Sequence, residues 1–99
     1  MEKTIWLTIV VPDGRETRVQ CDSVRFLIPD GAKNKNAGGS IGIRPGHTDA
    51  LMSVAAGEVT ADRHGEVVLQ CTVEAGLAMV DGGNVTILTD TIREIRDKN

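Results

Sequence analysis

Apolar and polar residues alternate along this chain in short runs, and each run ends within a few residues at a turn signal. Ile5, Leu7, Ile9 and Val11 fall on one face of a first extended segment, and Val24, Phe26 and Ile28 repeat the pattern after Arg15 to Gln20. A period of two places such side chains on one side of a pleated strand. Val67, Leu69, Cys71 and Val73, set against Glu66, Gln70, Thr72 and Glu74, give the clearest case and predict a strand with one wet face. The breaks fall at Pro12-Asp13-Gly14, Pro29-Asp30-Gly31, Pro45-Gly46, Ala56-Gly57, His64-Gly65 and Asp81-Gly82-Gly83-Asn84. These residue types supply the dihedral angles that a chain reversal needs. Val, Ile and Thr account for 28 of the 99 residues, and their stiff β-branched side chains fit a pleated surface better than a helix. Short strands at this spacing, with no long helical period between them, predict an all-β antiparallel sandwich or barrel.

A chain of 99 residues is long enough for one core and too short for two. Residues 1–90 are expected to form the β domain, and 91–99 a short charged tail. That tail is the one helical candidate, since Thr91 to Asn99 follows Asp90 as a candidate N-cap, yet it is too short for an independent helix. The net charge of -3 argues against nucleic acid, whose phosphates call for a basic footprint. One Trp, one Phe and no Tyr also leave no stacking platform for single strands. The apolar runs at Ile5 to Val11 and Leu77 to Val80 are too short to span a membrane, and no signal-peptide apolar region precedes them, so neither membrane insertion nor secretion is expected. Cys21 and Cys71 have neither redox-pair nor metal-knuckle spacing and are expected to be buried thiols in a reducing compartment.

Catalytic candidates are few. Asp30 to Ser40 contains no apolar residue larger than Ala and is expected to be a surface loop. It is no phosphate cradle, because Lys33 and Lys35 precede the glycines and Ile41-Gly42-Ile43 continues as a strand. Ser40, His47 and Asp49 lack the strained elbow of a nucleophile, and His47, Asp49 and His64 have no local metal-ligand spacing. His64 lies where a hairpin tip is expected. No catalytic residue, cofactor or metal is assigned, and the chain is expected to work by docking on a partner.

Gly42-Ile43-Arg44-Pro45-Gly46-His47 resembles the Gly-x-x-Pro-Gly-His turn of the epsilon subunit of bacterial and chloroplast F-type ATP synthases. Val73 to Asp90, with Gly76, Gly82-Gly83, Asn84-Val85-Thr86 and a closing Asp90, is similar to that family's final hairpin. Leu7 to Pro12 resembles its opening strand, so the likeness runs from about Ile5 to Thr91. The family motif residues carried over are Gly42, Pro45, Gly46, His47, Gly76, Asn84 and Asp90.

The resemblance implies a ten-stranded sandwich of two five-stranded sheets. It also implies a non-catalytic central-stalk part, peripheral on the cytoplasmic face of a bacterial plasma membrane, that couples ion transport to ATP synthesis or hydrolysis. Its implied partners are the gamma subunit, met by Val11, Pro12, His47 and Met52, and the c-ring, met by Asp30, Gly31 and Ser40. Two features depart from the family. The loop before the motif is longer and carries Lys33 and Lys35, and a carboxylate common in the family is replaced by Ser40. The chain also stops at Asn99, ahead of the family's C-terminal helical hairpin, so no ATP site is expected. The competing readings are an unrelated small β-sandwich adaptor or ligand-binding module, and a hydrolase or metalloenzyme in which His47, Asp49 and His64 converge.

Overall fold

The computed structural model describes residues 3–29 and 39–97. Within them lie ten strands: β1 (Ile5–Val10), β2 (Glu16–Cys21), β3 (Ser23–Leu27), β4 (Ser40–Ile43), β5 (Ala50–Val54), β6 (Gly57–Arg63), β7 (Glu66–Val73), β8 (Gly76–Asp81), β9 (Asn84–Thr89) and β10 (Ile92–Asp97). Asp30, Gly31, Lys33 and Lys35 lie outside the described residues. The strands form two five-stranded sheets, ordered β2-β1-β9-β8-β5 and β10-β7-β6-β3-β4. The expected sandwich is therefore present.

One pairing departs from the antiparallel expectation. β1 and β9 run parallel, with Leu7 opposite Val85 and Ile9 opposite Ile87. Hairpins enforce antiparallel pairing only between strands that follow one another closely. Here β9 returns beside β1 after the chain has passed repeatedly between the sheets, so no turn dictates their relative direction. The first of these passages takes a single residue, Asp22, whose N–H donates to the Asp62 carbonyl at 2.8 Å.

The core follows the alternation. Ile5, Leu7 and Ile9 of β1, Val85 and Ile87 of β9, Val24 and Phe26 of β3, and Leu69, Cys71 and Val73 of β7 are all buried between the sheets. Val67 does not continue that series. The β6–β7 register slips between Ala61, opposite Leu69, and Asp62, opposite Val67, so Val68 is an extra residue on β7. Such a bulge reverses the side-chain phase beyond it. Val68 packs against the core, and Val67 turns to solvent.

The C-terminal segment corrects a second expectation. Ile92–Asp97 is the strand β10, not a helical turn, and it pairs antiparallel with β7 through Ile92 opposite Val73 and Arg93 opposite Thr72. An isolated helix of this length lacks the hydrogen bonds to offset its nucleation, whereas the open edge of β7 offers a ready ladder. Ile92 packs against the core, and the Thr72 hydroxyl donates to Glu94 Oε1 at 2.9 Å. A bulge between Arg93 and Arg96, with Glu94 at φ 55°, bends the end of this edge strand.

Among the described residues the His64-Gly65 turn matches its sequence signal, while the Pro29-Asp30-Gly31 turn lies partly outside them. β6 and β7 are joined through His64 at φ 56° and Gly65 at φ 79°, the two positive angles of a type I′ hairpin turn. The His64 N–H donates to Asp22 Oδ2 at 2.9 Å, which ties this exposed tip to the β2–β3 passage.

Both cysteines are free and buried, and burial pushes each thiol up to about 11 from an ordinary 9.0. The folded chain thus holds these protons more tightly than the unfolded chain. Their contribution to stability is complete below about pH 9 and is lost as pH rises through about 11. Iodoacetamide at pH 8 is expected to leave both thiols unmodified in the folded protein and to alkylate both in urea; mass spectrometry showing native labelling would contradict their burial. Leu69→Ala is expected to lower the unfolding free energy by about 2–5 kcal/mol in urea titration, through the cavity it leaves. An unchanged midpoint would contradict the inward placement of Leu69.

Candidate docking surface

The two sheets differ in what they show to solvent. On the outer side of the β10-β7-β6-β3-β4 sheet, register aligns Arg25, Thr60, Gln70 and Arg96 in one row, with Glu58, Thr72 and Arg93 in another. This is a solvated polar face. On the other sheet, one outer row reads Glu16, Val10, Leu88, Leu77 and Ser53, and the next reads Arg18, Thr8, Thr86, Met79 and Leu51. Val10, Leu88, Leu77, Met79 and Leu51 are therefore neighbours across four strands. Leu51 is 69% exposed, Leu77 45%, Met79 44% and Leu88 43%. Single exposed apolar residues need no explanation, but a contiguous patch on a sheet marks a contact surface.

A polar border surrounds the patch. Trp6 is exposed beside it, and the Arg18 guanidinium lies 4.3 Å from the Trp6 ring centroid. This cation–π contact pairs the aromatic ring with a positive charge at the rim of the patch. Glu16 and Asp81 complete the border on β2 and β8.

The patch runs into a groove of about 320 Å³ at the end where β1 stops, β8 begins and β9 stops. Val10, Val11, Pro12, Ala75, Gly76, Leu77, Leu88, Thr89 and Asp90 line it. Its floor depends on Gly76, because a Cβ there would overlap the Leu88 carbonyl on the paired strand. Its wall depends on Thr89, the buried polar residue of the described chain, whose hydroxyl donates to the Glu74 carbonyl at 2.8 Å, with the Thr91 carbonyl at 3.3 Å. One side chain thus joins the β7–β8 and β9–β10 passages.

The residues singled out in the sequence separate into two places. Val11, Pro12, Gly76 and Asp90 are brought together in the groove. Val11 is only 4% exposed, so its side chain belongs to the core and only its edge reaches the groove. His47 lies toward the other end of the sheet, in the turn from β4 to β5. Pro45 and Gly46 form the corner there, with Gly46 at φ 87° and the His47 N–H donating to the Arg44 carbonyl at 3.1 Å. That combination is a type II turn, which requires glycine at its third residue. The His47 ring meets the Thr48 carbonyl through Nδ1 at 2.6 Å, and Asp49 Oδ1 accepts the Gly82 N–H at 3.0 Å. Met52 is half-buried against the core, and its neighbour Leu51 is the one that faces out. Ser40 is exposed at the start of β4, Asn84 is exposed at the start of β9, and among the described residues nothing requires glycine at 42.

His47, Asp49 and His64 do not converge. Asp49 is bound at the β8–β9 hairpin and His64 sits beside Asp22, and among the described residues no three metal-ligating side chains gather. The exposed apolar patch was not singled out from the sequence, although a signal exists. Leu77-Ala78-Met79-Val80 and Ile87-Leu88 are apolar in both phases of the alternation, as in strands covered on both faces.

Residues 4–95 match the family described as ATP synthase, Delta/Epsilon chain, beta-sandwich domain. The chain belongs to the ATP synthase delta/epsilon β-sandwich family. Its fold is similar to that of a chain in the mitochondrial ATP synthase of Euglena gracilis, determined as OSCP/F1/c-ring in rotational state 1. The TM-score is 0.71 at 21% identity, over 94% of this chain and 54% of that one. It is also similar to a chain in the central stalk/c-ring of the Tetrahymena thermophila mitochondrial ATP synthase, with a TM-score of 0.63 at 13% identity, over 93% of this chain and 67% of that one. The chain thus spans about half the length of the Euglena relative. A sequence comparison with curated proteins gives no match.

Thr89→Val keeps the shape of this side chain and removes its donor, leaving two carbonyls of the passages without it. A loss of about 1–3 kcal/mol is expected in urea titration, and an unchanged stability would show that the Thr89 hydroxyl does not hold the passages together.

Proposed function

We propose that this delta/epsilon-family chain is a non-catalytic rotor subunit of an F-type ATP synthase, with no active site of its own. It docks on the gamma subunit through the apolar outer face of the β2-β1-β9-β8-β5 sheet. Asp30, Gly31 and Ser40 are the residues assigned to the polar loops of the c-ring, so that rotation of the ring and of the stalk is coupled. The subunit is peripheral, on the cytoplasmic face of a bacterial plasma membrane. Among the described residues no helix is long and apolar enough to cross a membrane.

The observation that carries this reading is the apolar face itself, in a chain of this family. Torque passes between subunits through interface shape and desolvated contact, which needs a rigid plate with one apolar side. The Pro12 and His47 positions attributed to gamma contact lie toward opposite ends of the same sheet, separated by the length of β8. A single partner meeting both must lie along the face between them, and that face is where Leu88, Leu77, Met79 and Leu51 are exposed.

The test is capture of the purified chain by the gamma subunit of the same organism. The double variant Leu77→Asp/Met79→Asp is expected to weaken capture by about tenfold or more. Its melting temperature should stay near that of the parent, because both side chains already face solvent. Gln70→Asp, on the polar face of the other sheet, should bind as the parent does. Normal capture of the double variant would show that this face is not the docking surface.

A further inference from the structure

Three carboxylates gather at the groove end of the sandwich, and two are already neutralised within the chain. Asp13 accepts the Arg15 N–H at 2.9 Å and the Arg15 Nε at 2.7 Å, and these hydrogen bonds hold its carboxyl below the ordinary value. Glu74 Oε2 is paired with the Arg93 guanidinium at 2.8 Å. Asp90 is different. It lines the apolar groove beside Leu77 and Leu88 and also the adjoining depression beside Pro12 and Arg15, and its carboxylate has no hydrogen-bond or ion-pair partner among the described residues.

Covering this groove with a partner would remove water from Asp90. An unpaired carboxylate at a dried apolar contact is costly, and the cost is offset only when the partner brings a cation to it. The chain's own cations at this corner are engaged elsewhere, Arg15 on Asp13 and Arg93 on Glu74. The apolar lining next to Asp90 calls for an apolar side chain, and a space of about 320 Å³ accommodates one of Leu, Met or Phe size.

We propose that the groove receives a segment of the gamma subunit in which an apolar anchor residue stands next to a Lys or Arg, the anchor filling the space beside Leu77 and Leu88 and the cation pairing with Asp90. This deepens the proposed gamma docking and rests on that reading. The groove is continuous with the outer face through Val10, Leu77 and Leu88, which belong to both. The anchor therefore sets the position of the partner along the sheet, while the cation selects the charge of the segment that enters.

The experiment measures the affinity of the intact chain for the purified gamma subunit of the same organism, at low and at high salt. Asp90→Asn is expected to weaken binding about tenfold at low salt and to flatten the salt dependence, and Asp90→Lys to weaken it further. Ala75→Phe, which places bulk at an exposed position in the groove without touching the core, is expected to weaken binding by a similar factor with an unchanged melting temperature. Parent-like affinity and salt dependence in Asp90→Asn would overturn the cation, and parent-like affinity in Ala75→Phe would overturn the anchor. Self-association of the free chain that is lost in Asp90→Asn would assign the groove to a second copy and also overturn the proposal. Failure of the unaltered chain to bind gamma would sink the gamma reading itself, a result distinct from binding that ignores these substitutions.

Discussion

A strand has two faces, and in the β8–β9 hairpin both are apolar. Ala78, Val80, Val85 and Ile87 point into the sandwich and are buried there. Leu77, Met79 and Leu88 point the other way and are exposed. The register of the sheet cannot relieve this, because a slip by one residue would expose the buried set and bury the exposed one. Pairing of β9 with β1 and of β8 with β5 then spreads the exposed set into a patch by adding Val10 and Leu51. The exposed apolar patch is thus a consequence of the hairpin that also supplies the centre of the core.

The same constraint explains which parts of the fold were legible in the sequence. Alternation on β1, β3 and the second half of β7 could be read directly, since each has one apolar phase and one polar phase. So could the reversals at Pro45-Gly46, His64-Gly65 and Gly82-Gly83, where the residues carry their own backbone preferences. The parallel pairing of β1 and β9 could not, because it is a contact between strands far apart in sequence and no local residue encodes its direction. β10 was hidden for a related reason. Ile92-Arg93-Glu94-Ile95-Arg96 has no strand pattern strong enough by itself, and it becomes a strand by completing the edge of β7 around a bulge. The slip at Val68 was equally silent, since Val67 and Val68 are chemically identical and only the partner strand decides which one faces inward.

The candidate surface was legible in part. Pro12, Gly76 and Asp90, drawn from separate stretches of the chain, do meet at one groove. Val11 and Met52 were singled out with them, yet their side chains belong largely to the interior. A resemblance transfers a position and not the direction of a side chain, and in a strand that direction changes with every residue. Leu51 and Met52 show the consequence: the exposed member of the pair is the neighbour of the residue singled out.

The residues singled out in the sequence divide by physical role in a way that bears on how the surface keeps its shape. Gly46 serves a turn, Gly76 serves a close approach of two strands, and Asp49 anchors the β8–β9 hairpin through the Gly82 N–H. None of these presents an extensive contact area; Gly46 and Asp49 set the path of backbone at one end of the sheet, and Gly76 sets it at the groove end. Beside Gly76, Thr89 joins the two passages that form the wall of the groove. The backbone ladder holds β8 to β9 along their whole length, and the hydrogen bonds at both ends add to it by fixing the passages that bound the exposed face. Local chemistry at the corners therefore preserves the geometry, and the side chains between the corners form the exposed apolar patch.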